Sequence, residues 1–202
     1  MTCDVLIIGG GVGGLACAMT LASAHAKPWF KDRRILIIDD GMSDLGKARL
    51  CNAPGVPIGA LGSDILAGMR AQALQYGVAS LESDRVTTVS RSDERWTVTA
   101  ASGRAWTAAT LVLATGFKRW EIEGLACTPS PHPRGGKPDR IMLEHDGVYC
   151  VSEELRVAGL LGGGSSQFAI AAGAGAQTAV EILCVWAGKR THIHDVPEPP
   201  EC

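Results

Sequence analysis

None of the seven cysteines stands in a Cys-x-x-Cys spacing with another. Cys3, Cys17, Cys51, Cys127, Cys150, Cys184 and Cys202 are odd in number and widely separated. That pattern excludes a secreted disulfide framework and a clustered zinc site. It suits small buried hydrophobes in a reducing compartment. Excess charge of one sign is also missing: 19 basic residues face 21 acidic ones. A nucleic-acid binder would carry a basic surplus, so no nucleic-acid partner is expected. Long apolar runs are absent too. The apolar start carries Asp4 where a signal peptide has basic residues, and it is broken by glycine at Gly9. No uninterrupted run of about 18 apolar residues follows. The expectation is a cytoplasmic chain with no membrane partner. No Ser/His/Asp arrangement or paired acid for hydrolysis is visible. His132 and His145 have no evident partner, and His192 and His194 merely alternate in an aperiodic tail, so no metal site is expected. There is no internal repeat.

Glycine, by contrast, is abundant and clustered, in residues 9–14, 55–68 and 159–175. The 202 residues suffice for one good-sized core. Asp4 to Ile8 is a short apolar run ended by glycines, which suits a strand buried on both faces. Leu15 to Ala24 is rich in helix formers. Arg34 to Asp39 reads as a second buried strand, completing a βαβ unit. Ser63 to Tyr76 predicts an amphipathic helix with Ser63 as N-cap and Gly77 closing it. Arg85–Arg91, Arg95–Ala101 and Arg104–Thr107 read as a β-meander, followed by a buried strand at Leu111–Ala114. Residues 121–137 are rich in Pro and Gly and read as irregular. Ile141–Val151 and Leu155–Ala158 are strand candidates. Gln167 to Ala187 is a long helix of small residues that Gly188 ends. Residues 191–202 read as a disordered tail.

The sharpest motif is Gly9-x-Gly11-x-x-Gly14, spanning Val12 and Gly13, placed between a strand and a helix. Gly9 permits the tight turn, Gly11 lets a pyrophosphate approach the backbone, and Gly14 lets the helix pack on the strand. The helix mouth then offers free N–H groups and partial positive charge to phosphates. Asp39 closes the second strand, where a carboxylate can accept ribose hydroxyls and repel a ribose phosphate; Asp40 is its alternative. This set points to a bound dinucleotide. Lys47 and Arg49 sit over the phosphates or a flavin, or else in a solvated loop.

Four segments in order resemble the FAD domain of thioredoxin reductases and the wider pyridine nucleotide-disulfide oxidoreductase superfamily. They are DVLIIGGGVGG from Asp4; Asn52-Ala53-Pro54-Gly55-Val56-Pro57 with the helix after it; Leu111-Val112-Leu113-Ala114-Thr115-Gly116; and Val157-Ala158-Gly159 through Gln167. The resemblance implies an α/β fold: a Rossmann-type, three-layer FAD-binding domain with parallel sheet, crossover helices and a small β-meander, spanning residues 1–190. It implies FAD as cofactor, with Asn52 near the flavin ring and Val86 meeting the adenine. Ala114, Thr115 and Gly116 should pass near the pyrophosphate and ribityl chain. Gln167 and Phe168 should open a helix aimed at the anionic edge of reduced flavin.

Three departures shape the functional expectation. The family places a whole NAD(P)H-binding domain after the Ala-Thr-Gly strand, whereas here only residues 117–146 intervene. Gly173-x-Gly175 lies within a helix and is explained by close packing. The redox dithiol is absent. The family's Gly-Asp, whose acid holds the ribityl chain, stands here as Gly159-Leu160, with Glu153 as an alternative acid in poorer register. Cys51, beside Asn52, is a weak candidate for thiol chemistry; a partly buried inert thiol is the plainer reading. The expectation is an FAD-dependent oxidoreductase whose reductant comes from a partner redox protein or directly docked NAD(P)H, in a homo-oligomer or with a partner subunit. The alternative is a non-catalytic FAD-binding module, a redox sensor or structural subunit.

Overall fold

The computed structural model describes residues 2–118 and 120–193. The first strand, β1 (Thr2–Ile8), runs into Gly9, and α1 (Val12–Ser23) returns to β2 (Ile35–Asp39). β1 and β2 pair parallel, Val5 opposite Ile35 and Ile8 opposite Ile38. Two short strands, β3 (Arg49–Leu50) and β4 (Ala60–Leu61), precede α2 (Gly62–Leu74). Then come β5 (Ala79–Ser83), β6 (Val86–Ser92), β7 (Arg95–Ala100) and β8 (Ala105–Leu113). Four short strands follow: β9 (Ser130–Pro131), β10 (Ile141–Met142), β11 (Cys150–Ser152) and β12 (Leu155–Val157). α3 (Phe168–Ala187) completes the order.

The main sheet runs β11-β12-β8-β1-β2-β5. Along this path every pairing is parallel except β11 against β12, and β6 and β7 join the sheet antiparallel through β8. Alternation along the strands builds two cores. Val5, Ile7, Ile35, Ile37 and Val112 face α1, α2 and α3. Leu6, Ile8, Leu36, Ile38, Leu111 and Leu113 face the meander, where Val89, Trp96, Val98 and Trp106 are buried. The molecule is therefore the expected three-layer Rossmann-type α/β fold.

Several expectations are corrected. Arg104–Thr107 and Leu111–Ala114 are one nine-residue strand, β8. One edge pairs parallel with β1 from Thr107 to Leu113, while the other pairs antiparallel with β7 over residues 105–108 and parallel with β12 over residues 111–113. β5 had no clear signal, because an edge strand exposes Ser80 and half of its surface needs no apolar side chain. Ser63 is not an N-cap: α2 begins at Gly62, and the Ser63 hydroxyl turns to Asp64. Ile141–Val151 divides into β10 and the start of β11, because residues 145–149 form a tight turn with Gly147 and Tyr149 at positive φ. Residues 191–193, expected to open a disordered tail, are placed against the helix α3. Thr191 N–H donates to Cys184 Sγ at 3.4 Å, and Ile193 packs on the helical core. Residues 194–202, with His194 and Cys202, lie outside the described residues.

α3 is long and apolar enough by composition to cross a bilayer. Here Ala174, Thr178, Ala179, Ile182 and Leu183 are buried as core, and the Thr178 hydroxyl bonds the Val157 carbonyl at 2.8 Å. Cys3 on β1 and Cys17 on α1 are buried in the two cores on either side of the sheet, and burial pushes both thiols up to about 12 from 9.0. The sign of the linkage follows. In the unfolded chain both thiols ionise near pH 9, while the folded chain keeps them neutral. Stability is thus intact below pH 9 and declines between pH 9 and about 12, by up to about 1.4 kcal/mol per pH unit per thiol. Urea unfolding at pH 8 and pH 10 should show this decline, and C17A should flatten it; an unchanged slope in C17A refutes it.

Candidate functional site

The carboxyl ends of β1, β2 and β8 open onto a cleft of about 630 Å³. That volume lies within the range of small-molecule and cofactor sites, and the location is where open α/β sheets bind ligands. Its floor is the glycine turn. Gly9 has φ +108° and sits so close to Ala114 that a Cβ would lie 2.4 Å from the Ala114 oxygen. Its N–H donates to the Ile38 carbonyl at 2.8 Å, so β1 and β2 are locked where the turn begins. Gly11 is the N-cap of α1, with extended backbone and no side-chain cap, and the first turn carries no acid. The N–H groups at that mouth therefore have no capping partner from any side chain.

α3 presents a second such mouth. Gln167 is its N-cap in extended conformation, again without a side-chain cap or an acid in the first turn. Asn52 Nδ2 donates to Gln167 Oε1 at 2.9 Å, joining the loop after β3 to the start of α3 across 115 residues of sequence. Gln167, Phe168 and Asn52 all line the cleft, as do Lys47 and Arg49. Lys47 and Arg49 are exposed at the rim, and Arg49 Nη1 donates to the Gly59 carbonyl at 3.0 Å. Ala114, Thr115 and Gly116 also line the cleft, as do Val86 and Asp40. Thr115 Oγ1 is buried without a hydrogen-bond partner, a polar atom left for a ligand. Gly159 and Leu160 complete the lining.

Most of the residues singled out from sequence therefore meet in one place. Val12 and Gly13 line it beside Gly9 and Gly11. Gly14 does not. It lies beneath the turn, where a Cβ would meet the Gly9 oxygen at 1.9 Å, so its task is helix-to-strand approach. Gly175 does the same for α3, with a Cβ position 2.0 Å from the Gly13 oxygen, while Gly173 faces open space. Cys51 is corrected from partly buried to exposed, and it is outside the cleft between two lining neighbours. Glu153 is also outside, at the hairpin between β11 and β12, paired with Arg91. Leu160 itself lines the cleft and carries no carboxylate.

Asp39 lies where expected but is not a free acid. Oδ1 accepts the Gly10 N–H at 3.0 Å, and Oδ2 accepts Arg70 Nη2 at 2.8 Å. A carboxylate has about four lone-pair sites, so each oxygen can still accept a sugar hydroxyl. The Arg70 charge offsets much of the repulsion that a phosphate would meet there. Arg70 was not legible in the sequence: it lies on α2, 31 residues from Asp39, and only the fold brings them together. Asp44 and Lys118 were missed for the same reason. They form an ion pair between two walls of the cleft. Arg70→Leu should destabilise the chain by about 2 kcal/mol, because Asp39 is buried. That is less than the ~3–5 kcal/mol of a fully buried broken pair, since the Arg70 side chain is 39% exposed. Urea unfolding tests this, and a change under about 0.5 kcal/mol would show that the pair behaves as a surface one.

Residues 3–156 match the family model of the pyridine nucleotide-disulphide oxidoreductases. The chain belongs to that family. It is 29% identical over 156 residues to a thioredoxin reductase of Streptomyces coelicolor, covering 77% of this chain and 46% of that protein. It is 31% identical to a thioredoxin reductase of Streptomyces clavuligerus over the same shares. The chain thus spans about half the length of the curated relatives it matches. Among solved structures, an oxidoreductase from Agrobacterium tumefaciens superposes with a TM-score of 0.75 at 16% identity, covering 94% of this chain and 100% of that one. A thioredoxin reductase from Gloeobacter violaceus does so with a TM-score of 0.75 at 17% identity, covering 98% and 99%. At those identities the structures establish the fold. The segment between β8 and β11 is short. Among its described residues it contains only β9, β10 and turns, with no second glycine-rich βαβ unit.

Proposed function

We propose that the cleft holds FAD and that the chain is a flavin-dependent oxidoreductase module, residues 1–190 forming one cytoplasmic FAD-binding domain. The observation that carries this reading is the convergence of two uncapped helix mouths, at Gly11 and Gln167, on one cleft that also contains the unpartnered Thr115 hydroxyl. The residues fit the group. The α1 mouth and Gly11 suit the pyrophosphate; Asp39 suits the ribose and Val86 the adenine end. Thr115 suits the ribityl side, and the α3 mouth with Asn52 suits the ring edge that gains negative charge on reduction. When bound, the flavin supplies two-electron chemistry. The chain's own residues orient it: Asn52 ties its loop to α3, and the glycine turn holds the backbone donors in place.

The reductant in this reading is NAD(P)H docking directly, or a partner redox protein, and the chain works as a homo-oligomer or with a partner subunit. The test is the absorbance of the purified protein between about 350 and 500 nm, identification of the released cofactor, and anaerobic titration with NADH and NADPH. Yellow protein that bleaches supports the reading. A colourless protein that fails to take up added FAD overturns it. A second reading is favoured by Leu160, whose side chain cannot accept a ribityl hydroxyl as a carboxylate would. It is a non-catalytic flavin-binding module, a sensor or structural subunit. Bound flavin that resists every donor would support it.

A further inference from the structure

Three aromatic side chains line the cleft: Phe117, Trp120 and Phe168. Phe117 is buried and already partnered, with the His132 ring edge-on at 5.2 Å and the Arg140 guanidinium over it at 5.2 Å. Phe168 opens α3 and packs on the helical core. Trp120 is different. It is half-buried, with part of its surface against the meander-side core. Trp96, Trp106 and Trp186 each carry an arginine guanidinium over the ring. Among the described residues, Trp120 meets no guanidinium and no other aromatic ring. Its indole faces a cofactor-sized cleft with no partner for its π system.

The path of the chain decides which end of the cleft the indole occupies. β8 ends at Leu113, and the chain passes Thr115 and Gly116 to Lys118, whose ammonium pairs with Asp44. Asp44 follows Ser43, the residue nearest a Cβ at Gly11. Lys118 therefore stands beside the mouth of α1, where the pyrophosphate belongs in the cofactor reading. Just beyond Trp120 the chain joins the meander. Glu121 Oε2 pairs with Arg85 Nη2 at 3.4 Å. Glu123 N–H donates to the Thr87 carbonyl at 2.9 Å, and its own carbonyl accepts Val89 N–H at 2.9 Å. Glu123 is thus bridged to β6, and Ile122 is buried in the same core as Val86. Trp120 directly precedes Glu121, and Val86 directly follows Arg85. The tryptophan stands at the Val86 end of the cleft, one step past the diphosphate position.

We infer that Trp120 is a base-stacking residue of the cleft, its indole face lying against the adenine that reaches Val86. The inference rests on the FAD reading for the identity of the ligand, and it names what selects the nucleotide half. A purine presents two flat, weakly polar faces, and an aromatic face covers one of them at low entropic cost. The surrounding charge suits an uncharged ring: Arg85 and Glu121 are both half-exposed at the rim and offset each other. Moving from there toward the sheet, the next acceptor in the cleft is Asp39, placed for the ribose. The consequence is discrimination by the nucleotide half. FAD and ADP both carry the purine to Trp120, whereas FMN ends at its single phosphate and does not reach it.

The test uses the full chain, with FAD, ADP and FMN as probes and the variants Trp120→Ala and Trp120→Phe. Dissociation constants are measured by calorimetry at one ionic strength, with a thermal melt of each variant. W120A should bind FAD and ADP about ten- to hundredfold more weakly than the parent. W120F keeps a π face and should stay within about fivefold. FMN affinity should differ less than about twofold between the parent and W120A, since no stack is lost. A tryptophan that only supports the fold would lower the affinity for all three probes together, and that result overturns the inference; so does an unchanged FAD constant in W120A. A direct readout is the Trp120 indole N–H resonance, identified by its loss in W120F. Adding ADP to the parent should move it through the ring current of the purine, and a resonance that stays in place refutes the stack. This measurement on the parent decides the matter should W120A fail to fold. A parent that binds FAD as tightly as W120A does leaves the cofactor reading standing and removes the stack. A parent that takes up no FAD, yet binds ADP with the indole shift, removes the cofactor reading and keeps Trp120 as the platform of an adenine-nucleotide site. A parent that binds neither ends both.

Discussion

Gly11→Val should fold, melt within a few degrees of the parent, and bind FAD about a hundredfold more weakly or worse. The reason is where the space lies. A Cβ at Gly11 meets only Ser43, at 3.4 Å from Oγ and 3.9 Å from Cβ. The backbone there, φ −79° and ψ −171°, is extended and open to any residue. The protein itself has room for a side chain. What the side chain would displace is the ligand, which the backbone amides must approach closely. Losing glycine from an N-cap adds only up to about 1 kcal/mol of helix cost. Absorbance of the purified variant, with a thermal melt beside it, separates binding from folding. Full retention of flavin would mean that the phosphates do not pass Gly11.

Gly14→Ala should do the opposite and fail at the level of the fold. A methyl group there would sit 1.9 Å from the Gly9 oxygen, 3.1 Å from the Gly9 carbon and 3.2 Å from Ala114 Cβ. The nearest of these atoms are backbone in a turn tied to Ile38, so they cannot rotate away. α1 would have to lift from β1, although Leu15, Cys17, Ala18, Leu21 and Ala22 on α1 are fully buried. Overpacking of a dense core costs about 1–3 kcal/mol and more where backbone must move. The expected loss is at the top of that range or above it, a large share of a marginal stability. Urea unfolding measures it. A variant as stable as the parent would show that α1 is held less closely than the geometry implies. Together the two glycines, three residues apart, distinguish a cofactor contact from a packing contact.

Much of this division was visible in the chain alone. The order strand, glycine turn, helix, strand and acid predicts the βαβ unit from Asp4 to Asp39, because each part is a local consequence of residue type. The same local logic predicts α3 with Gly188 at positive φ closing it. It was weaker for β5 and for the continuity of β8. An edge strand needs little apolar surface, and a strand that changes partners midway changes its pattern with them.

The sequence by itself determined the three-layer α/β architecture and the family, through the spacing of its glycines and buried runs. It also determined which residues would gather at the carboxyl ends of the strands. Only the tertiary structure decided how that gathering is held. Arg70 meets Asp39, Gln167 meets Asn52, and His132 and His145 grip the turn at Leu160 to Gly162. These partners are 17 to 115 residues apart in the chain. Periodicity and turn chemistry act over a few residues, so they cannot register pairs that form only after the sheet has brought distant segments side by side.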